Sequence, residues 1–333
     1  MISLLQRCNH SADFFAYIKV IPCKTDGGIR IGVLCMTKVE KKFQVGDLVS
    51  RTSHGRDVLF RIEQIYQQGS RQIALLKGVD LRLCADAPLE DLHAPTAQEI
   101  SNYRKLYTKR SAELLRGVEQ RRKATVNTFL SRAKITYKKA ETTSLEVFEL
   151  PGTVLHLDGD PEYLDLCMTT YRQLNIRANG FYVPEQDQPD RVRRYLMEFT
   201  PDILILTGHD GLLKGKKGFS CLDNYHNSKY FVRAVRKARE FEPGRDDLII
   251  FAGACQSHYE SLIHAGANFA SSPLRVLIHA YDPVFIAEKV AFTPFNQMVP
   301  IKETLQETIT GTDGVGGIET RGRLRIGYPK SPY

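Results

Sequence analysis

Short runs of consecutive apolar residues, separated by stretches with helical spacing, dominate the second half of the chain. A strand buried on both faces shows no polar alternation, so these runs predict a mostly parallel sheet covered by helices. Helices are predicted to begin near Asp160, near Asp187 or Asp190, and before Tyr230. The predicted strands read TVLHLD (153–158), NGFYVP (179–184), DILILT (202–207) and DLIIFA (247–252).

Residues 43–92 show a different pattern, in which apolar and polar residues alternate over short segments with turn sequences between them. This pattern predicts a small β-barrel, and its opening residues Val45–Val49 resemble the first strand of SH3-like or KOW-like barrels. Helical spacing then predicts a helical segment from Thr96 to about residue 139. We therefore divide the chain into an N-terminal extension (1–40), a small β-barrel (41–94), a basic helical linker or arm (95–148) and an α/β domain (149–333).

Positive charge is concentrated in the helical segment. The whole chain has a formal net charge of +8, whereas residues 101–140 alone hold twelve Lys or Arg against Glu113 and Glu119. Such a segment predicts a contact with a polyanion, either a nucleic acid or an acidic protein. The alternative is a solvated helical linker whose apolar stripe packs on a neighbour, and the lack of a recognised RNA motif favours it.

Seven cysteines are scattered along the chain without a CxxC pair or a Cys/His cluster at zinc spacing. We therefore expect reduced thiols in an intracellular protein and no metal. Three of the seven precede the second methionine, which suggests that translation begins at Met36. No apolar run is long enough to span a bilayer.

Reactive side chains follow two of the predicted parallel strands, at the edge where such sheets bind ligands. His209 occurs in LTGHDG and Cys255 in AGACQS, each one or two residues after a glycine. One helix and one strand separate them, so adjacent strands would bring them together. A helix predicted over Ser257–His264 would favour a thiolate at Cys255. Alternatively, Cys255 is a small buried residue and His209 a loop histidine. Packing or surface positions are expected for the remaining candidates, His156, His226, His258 and His264.

These motifs also resemble a known family. An apolar strand that ends in histidine, followed by one that ends in Ala-Cys, is similar to the caspase-like clan of cysteine peptidases. VGDLVSR, LHLDGDPEYL, ILILTGHDG and FAGACQSHYESLIHAGANFASSP resemble more specifically the YabG family of sporulation peptidases in spore-forming Firmicutes. The resemblance covers about residues 40–330 and implies a caspase-like α/β fold that needs no cofactor. It also implies a cysteine endopeptidase that processes spore coat and spore morphogenetic proteins in the mother-cell cytoplasm and at the forming spore coat.

The resemblance assigns roles to individual residues. Cys255 becomes the nucleophile and His209 the general acid and base. Asp210 stands where the clan has a glycine directly after the histidine. The backbone donors of the oxyanion hole are therefore expected to be the Cys255 N–H and that of either Asp210 or Gly211.

Substrate preference follows from the same resemblance. Clan relatives that cut after Arg or Lys place an acidic residue beyond the first strand of the sheet, where this chain has Asp158 and Asp160. Either could bind a basic P1 side chain, the residue before the cut bond. Asp158 is the better candidate because Asp160 is also a suitable helix N-cap. Asp210 and Asp282 remain competitors.

Two other functions stay open. A glutamine amidotransferase also carries a cysteine on a sharp turn, but its second glycine and downstream His-x-Glu are missing here. A nucleic-acid-binding scaffold would use the barrel and the basic segment. The glycine-rich residues 310–322 predict a mobile loop that borders the cleft, rather than a phosphate-binding loop.

Overall fold

The computed structural model describes residues 43–136, 147–216, 218–328 and 330–331. The N-terminal extension of residues 1–40, with its predicted start at Met36, lies outside the described residues. Among the described residues, no helix is both long enough and apolar enough to cross a membrane.

The first part of the described chain is an antiparallel sheet of five strands, which we call the β-sheet unit (residues 43–93). Its strands pair in the order β4-β3-β2-β1-β5. Inward-facing residues such as Val49, Ile62 and Leu76 form its core, as the alternating sequence predicted. Closure into an SH3-like barrel stays a prediction. The strands are β1 (Leu48–Arg51), β2 (Phe60–Gln68), β3 (Arg71–Gly78), β4 (Cys84–Pro88) and β5 (Leu92–His93).

The second half contains a six-stranded, mostly parallel sheet, which confirms the α/β class. Its order is β12-β11-β10-β9-β7-β8, and only β12 runs antiparallel to its neighbour. A separate two-stranded sheet pairs β6 (Phe148–Leu150) with β13 (Arg325–Gly327). The six strands are β7 (Val154–Asp158), β8 (Ala178–Tyr182), β9 (Ile203–Thr207), β10 (Ile249–Ala252), β11 (Phe269–Ser271) and β12 (Val315–Gly317).

Helices cover both faces of this sheet. Because successive strand residues point to opposite faces, Ile205 of β9 joins one core cluster while Leu204 and Leu206 join the other. Each predicted helix is present, together with two further short helices near the C-terminus. Their bounds are α1 (Ala97–Thr136), α2 (Pro161–Gln173), α3 (Gln188–Phe199), α4 (Ser228–Phe241), α5 (Tyr259–Ala265), α6 (Asp282–Phe292) and α7 (Ile301–Gln306).

The basic helix α1 packs on the α/β domain. Thr96 and Glu99 form a capping box at its start, with N–H donors at 2.7 and 3.2 Å. Further along, Arg121 and Arg122 both pair with the buried carboxylate of Glu288 on α6. Its apolar and cationic side chains therefore serve in part to hold the helix on a neighbour, as the linker alternative expected. A polyanion contact through residues 101–140 stays a prediction for the exposed cations Arg104, Lys105, Lys109 and Arg116.

The glycine-rich residues 310–322 were predicted as a mobile loop, and this was wrong. They contain strand β12, which pairs with β11 and is largely buried. A Cβ on Gly316 would lie 2.6 Å from the Tyr259 hydroxyl, and one on Gly317 would lie 2.4 Å from the Phe269 ring. The glycines therefore allow aromatic rings to lie directly against an edge strand.

Candidate active site

The candidate site lies at the carboxyl edge of the parallel sheet. Strand order reverses between β7 and β9, and a parallel sheet opens a ligand crevice at such a point. Asp160 follows β7, His209 follows β9 and Cys255 follows β10. The adjacency of β9 and β10, predicted from the spacing of His209 and Cys255, is confirmed by their parallel pairing.

His209 forms a charged pair with Asp160. Its Nε2 lies 2.7 Å from Asp160 Oδ2, and its Nδ1 lies 3.6 Å from the sulfur of Cys84 on β4. Burial lowers the pKa of His209, but the hydrogen bond to Asp160 and the neighbouring Cys84 raise it more, to about 10. At neutral pH the ring is therefore an imidazolium that donates a hydrogen bond to the Asp160 carboxylate.

Asp160 has several partners besides His209. Its Oδ1 accepts the backbone N–H groups of Glu162 and Tyr163, so Asp160 caps helix α2. Lys77 Nζ, from the β-sheet unit, lies 2.7 Å from Oδ2. Burial raises the pKa of this carboxyl, but the hydrogen bonds from His209 and Lys77 have the larger effect and hold the pKa well below its usual range. The carboxylate is thus already paired with two cationic groups.

Asp158 is also paired. Arg82, between β3 and β4, donates from Nη1 to Asp158 Oδ2 at 2.7 Å, and both side chains are fully buried. Thr207 donates its hydroxyl to the same oxygen at 2.9 Å. Burial raises the pKa of Asp158, but the charge of Arg82 outweighs burial and holds that pKa well below its usual range. A basic substrate side chain would have to displace a buried arginine.

Lys77 and Arg82 were not singled out from the sequence. Each interrupts an apolar run, Lys77 in ALLKGV and Arg82 in LRL. A cation within an otherwise buried strand segment requires a counter-charge, and that requirement was the available signal. The β-sheet unit therefore supplies two cations to the carboxyl edge of the other sheet.

Cys255 is fully buried beneath the main chain of Ile278. Its sulfur accepts the Ile278 N–H at 3.2 Å and donates to the Ile278 carbonyl at 3.7 Å. Burial raises the pKa of the thiol to about 12. The following residue, Gln256, has a φ of 56°, a strained conformation for a non-glycine residue. Among the described residues, the thiol that contacts His209 is Cys84 rather than Cys255.

Asp210 joins the loops that carry His209 and Cys255. Its buried carboxylate accepts the Asn227 N–H at 2.8 Å, the Ser257 hydroxyl at 2.8 Å and the Ser228 hydroxyl. Burial raises the pKa of Asp210, and these donors oppose that shift. The side chain is therefore turned inward, away from the crevice.

The same carboxylate changes the choice of oxyanion donors. Gly211 N–H donates to Asp210 Oδ1 at 2.9 Å, so this amide is already satisfied. By contrast, the N–H groups of Asp210 and Cys255 donate to no residue that the structure describes. Of the three candidate amides, these two are therefore the ones without an acceptor among the described residues.

The remaining candidates either have local structural partners or are exposed. His258 caps helix α5 by accepting the Ser261 N–H, and His156 is buried against Thr207. His226 and His264 are exposed. Asp282 is fully buried and accepts the backbone N–H groups of His279, Ile309 and Thr310. No group of three or more metal-ligating side chains occurs within the part of the chain that the structure describes.

Replacing Asp160 by Asn should reduce stability in a pH-dependent way. Asn retains the helix cap but removes the counter-charge of His209. Because the folded pKa of His209 is raised from 6.5 to about 10, this stabilisation is complete below pH 6.5 and is lost as the pH rises through 10. The lowered pKa of Asp160 removes it again in acid, as the pH falls below 3.8.

Urea unfolding should therefore show Asp160→Asn destabilised by about 1–3 kcal/mol at pH 5.5, with a clearly smaller difference at pH 10.5. Asp165→Asn, an exposed change on the same helix, is the matched control. A difference that does not vary with pH would show that His209 is not charged by Asp160.

Comparison with known proteins identifies the family. A family model described as YabG peptidase U57 matches residues 44–329. The chain belongs to the YabG peptidase family. The sporulation-specific protease YabG of Bacillus subtilis (strain 168) is 45% identical over 293 residues, which cover 86% of this chain and 98% of that protein. No solved structure matches the chain.

Membership of the YabG family confirms the resemblance drawn from the strand-end motifs. The chain is therefore a peptidase of a sporulation-specific kind. A peptidase family argues against the glutamine amidotransferase alternative. The matched region contains both the β-sheet unit and the α/β domain, so the family includes the segment that supplies Lys77 and Arg82.

Proposed function

We propose that this YabG peptidase is a cysteine endopeptidase of caspase-like fold, with Cys255 as nucleophile and His209 as general acid and base. The observation that carries the proposal is the pairing of β9 with β10, because it places the two residues on neighbouring strand ends. Asp210 supports it by joining their loops. The Asp210 and Cys255 amides are available as oxyanion donors.

The described arrangement is the resting state in this proposal. Cys255 holds its proton against Ile278, and His209 is held at Asp160. A substrate that displaces the Ile278 main chain frees the thiol. The His209 ring must then break its hydrogen bond to Asp160 and form one to the Cys255 sulfur. Catalytic hydrogen bonds are often incomplete without substrate, so the separation in the resting state is compatible with this role.

The reaction then proceeds in two stages. Leaving Asp160 removes the carboxylate that raises the pKa of His209, so the imidazolium gives its extra proton to solvent and the neutral ring accepts the proton of the Cys255 thiol. The Cys255 sulfur then attacks the peptide carbonyl carbon, and the two amides bind the resulting oxyanion. The C–N bond breaks as His209 protonates the leaving amine, which leaves a thioester. Water, activated by His209, hydrolyses the thioester and restores the thiol. The proposed substrates are spore coat and spore morphogenetic proteins in the mother cell, cut after basic residues.

A covalent probe tests which thiol is the nucleophile. A peptidyl acyloxymethyl ketone with arginine at P1 alkylates an activated cysteine irreversibly. We expect one adduct per chain, located by peptide mass spectrometry at Cys255. The four cysteines within the described residues are free, and Cys84 and Cys221 are exposed, so these two are internal controls for non-specific labelling.

An adduct on Cys84 would overturn the assignment, because that thiol is the one beside His209 in the resting state. Labelling of all exposed cysteines at equal rates, without modification of Cys255, would reject an activated thiol altogether. His209→Ala should slow modification of Cys255 and leave the labelling of Cys221 unchanged.

A further inference from the structure

Most acidic side chains at the carboxyl edge of the parallel sheet are already satisfied. Asp158 and Asp160 face cations, while Asp210 and Asp282 accept several hydrogen bonds from neutral donors. Each of these four was a sequence candidate for binding a basic substrate side chain. Glu185, which follows β8 and was not a candidate, differs from all of them.

Glu185 accepts backbone hydrogen bonds but forms no ion pair with any described residue. Its Oε1 accepts the His209 N–H at 2.7 Å. Its own backbone N–H also donates to the carboxylate, and no Lys, Arg or His of the described chain lies within ion-pair distance. The side chain is partly exposed, and burial raises the pKa of its carboxyl. The nearby charge of His209 offsets that rise only in part, and a partly desolvated carboxylate without a direct ion pair gains more from a cation than one that is already paired.

Two glycines place this carboxylate in the crevice. Gly159 follows β7 and Gly208 follows β9, the two strands between which the order reverses. A Cβ at either position would lie 2.2 Å from Glu185 Oε1. Any side chain there would push the carboxylate out, so it lies across the strand ends only because both residues are glycine. It is thus held beside the backbone of the proposed general acid and base.

We propose that Glu185 is the residue that binds the basic P1 side chain of the substrate, an inference that rests on the proposed cysteine endopeptidase. The Glu185 carboxylate accepts a lysine ammonium or one N–H of an arginine guanidinium. The bond between Oε1 and the His209 N–H then fixes the distance from the P1 pocket to the catalytic histidine.

The test compares peptides that differ only at P1. We expect wild-type protein to prefer Arg and Lys over Gln in kcat/KM. Glu185→Gln should lower kcat/KM for the Arg and Lys peptides about 10- to 100-fold, since a charge-assisted hydrogen bond is lost. The Gln peptide should change less than about threefold, because it never used the charge. Glu198→Gln, an exposed change on α3, is the matched control that should leave all three values unaltered.

An equal loss for all three peptides would overturn the proposal, because it would show that Glu185 only positions the His209 backbone. A wild-type enzyme without preference for basic P1 would overturn it as well. Glu185→Asp keeps the charge and should retain part of the Arg-to-Gln ratio, so it remains informative if Glu185→Gln does not fold. Failure of the nucleophile assignment is separate, since it appears as cleavage that persists in Cys255→Ala whatever the P1 preference.

Discussion

Cys255→Ala should abolish peptide cleavage, with a fall in kcat on the order of 10⁴- to 10⁶-fold. The loss is this large because the acyl-enzyme cannot form without the sulfur, and only the oxyanion donors and substrate binding remain. KM should change little, since the thiol is buried and contributes little binding surface. The measurement is steady-state hydrolysis of a peptide with arginine at P1, with mass spectrometry to detect slow cleavage.

Cys84→Ala is the matched control. It removes the thiol that contacts His209 in the resting state but leaves the Cys255 loop intact. We expect activity within about threefold of wild type, because Cys84 is an exposed residue that has no bond-forming role in the proposed reaction. If Cys84→Ala is inactive and Cys255→Ala is active, the nucleophile is Cys84 and the proposed dyad is wrong. Thermal unfolding of both variants shows whether either loss is a folding defect.

Arg82→Met should destabilise the protein by about 3–5 kcal/mol at neutral pH. The substitution retains an apolar side chain of similar length but leaves the fully buried Asp158 carboxylate without its counter-charge. Arg82 also donates to Cys167 and to the Ala280 carbonyl, so three contacts from the β-sheet unit are lost together. Urea unfolding followed by circular dichroism measures the change.

Arg61→Met is the comparison for this variant. Arg61 pairs with Glu63 and Glu162, but its side chain is 40% exposed, and exposed ion pairs contribute about 0–1 kcal/mol. Adding Asp158→Asn to Arg82→Met should recover part of the lost stability, because no unpaired charge then remains buried. A loss for Arg82→Met no larger than that for Arg61→Met would show that the buried pair is not required.

The sheet could be predicted from the sequence because its strands are buried on both faces. Runs such as DILILT and DLIIFA are too apolar for a strand with one face in water. The helices predicted between them indicate crossover connections, which join parallel strands. Parallel strands end at the same edge, so the spacing of the two motifs was enough to place His209 and Cys255 on adjacent strand ends. Asp160 was likewise predictable as a helix cap from the proline that follows it.

The charges around the site could not be predicted in the same way. Arg82 lies 76 residues before Asp158 in the chain, and Lys77 lies 83 residues before Asp160. Periodicity shows which face of a strand is buried but not which distant group meets it. That Glu185 has no ion pair follows only from knowing where the described lysines, arginines and histidines lie. The contact between Cys84 and His209, which are 125 residues apart, could not be predicted for the same reason.

Asp210 shows a different kind of limit. The sequence marks it as a departure from the clan's histidine-glycine pair, which placed the oxyanion hole in doubt. In the structure the Asp210 side chain points inward. It therefore holds the loops of His209 and Cys255 together and does not occupy the crevice. Backbone direction at a strand end decides this, and a single sequence does not reveal it.

The partners of Asp210 also bear on how the enzyme comes into being. Its donors come from the segments around residues 211, 227–228 and 257, which are joined only once β9, α4 and β10 have assembled. As the chain emerges from the ribosome, the donors at residues 211, 227 and 228 are made before Ser257, so one of the four bonds to Asp210 waits for the loop after β10. The proposed nucleophile lies in that same loop, so the segment that brings Cys255 to the sheet edge also completes the set of donors around Asp210.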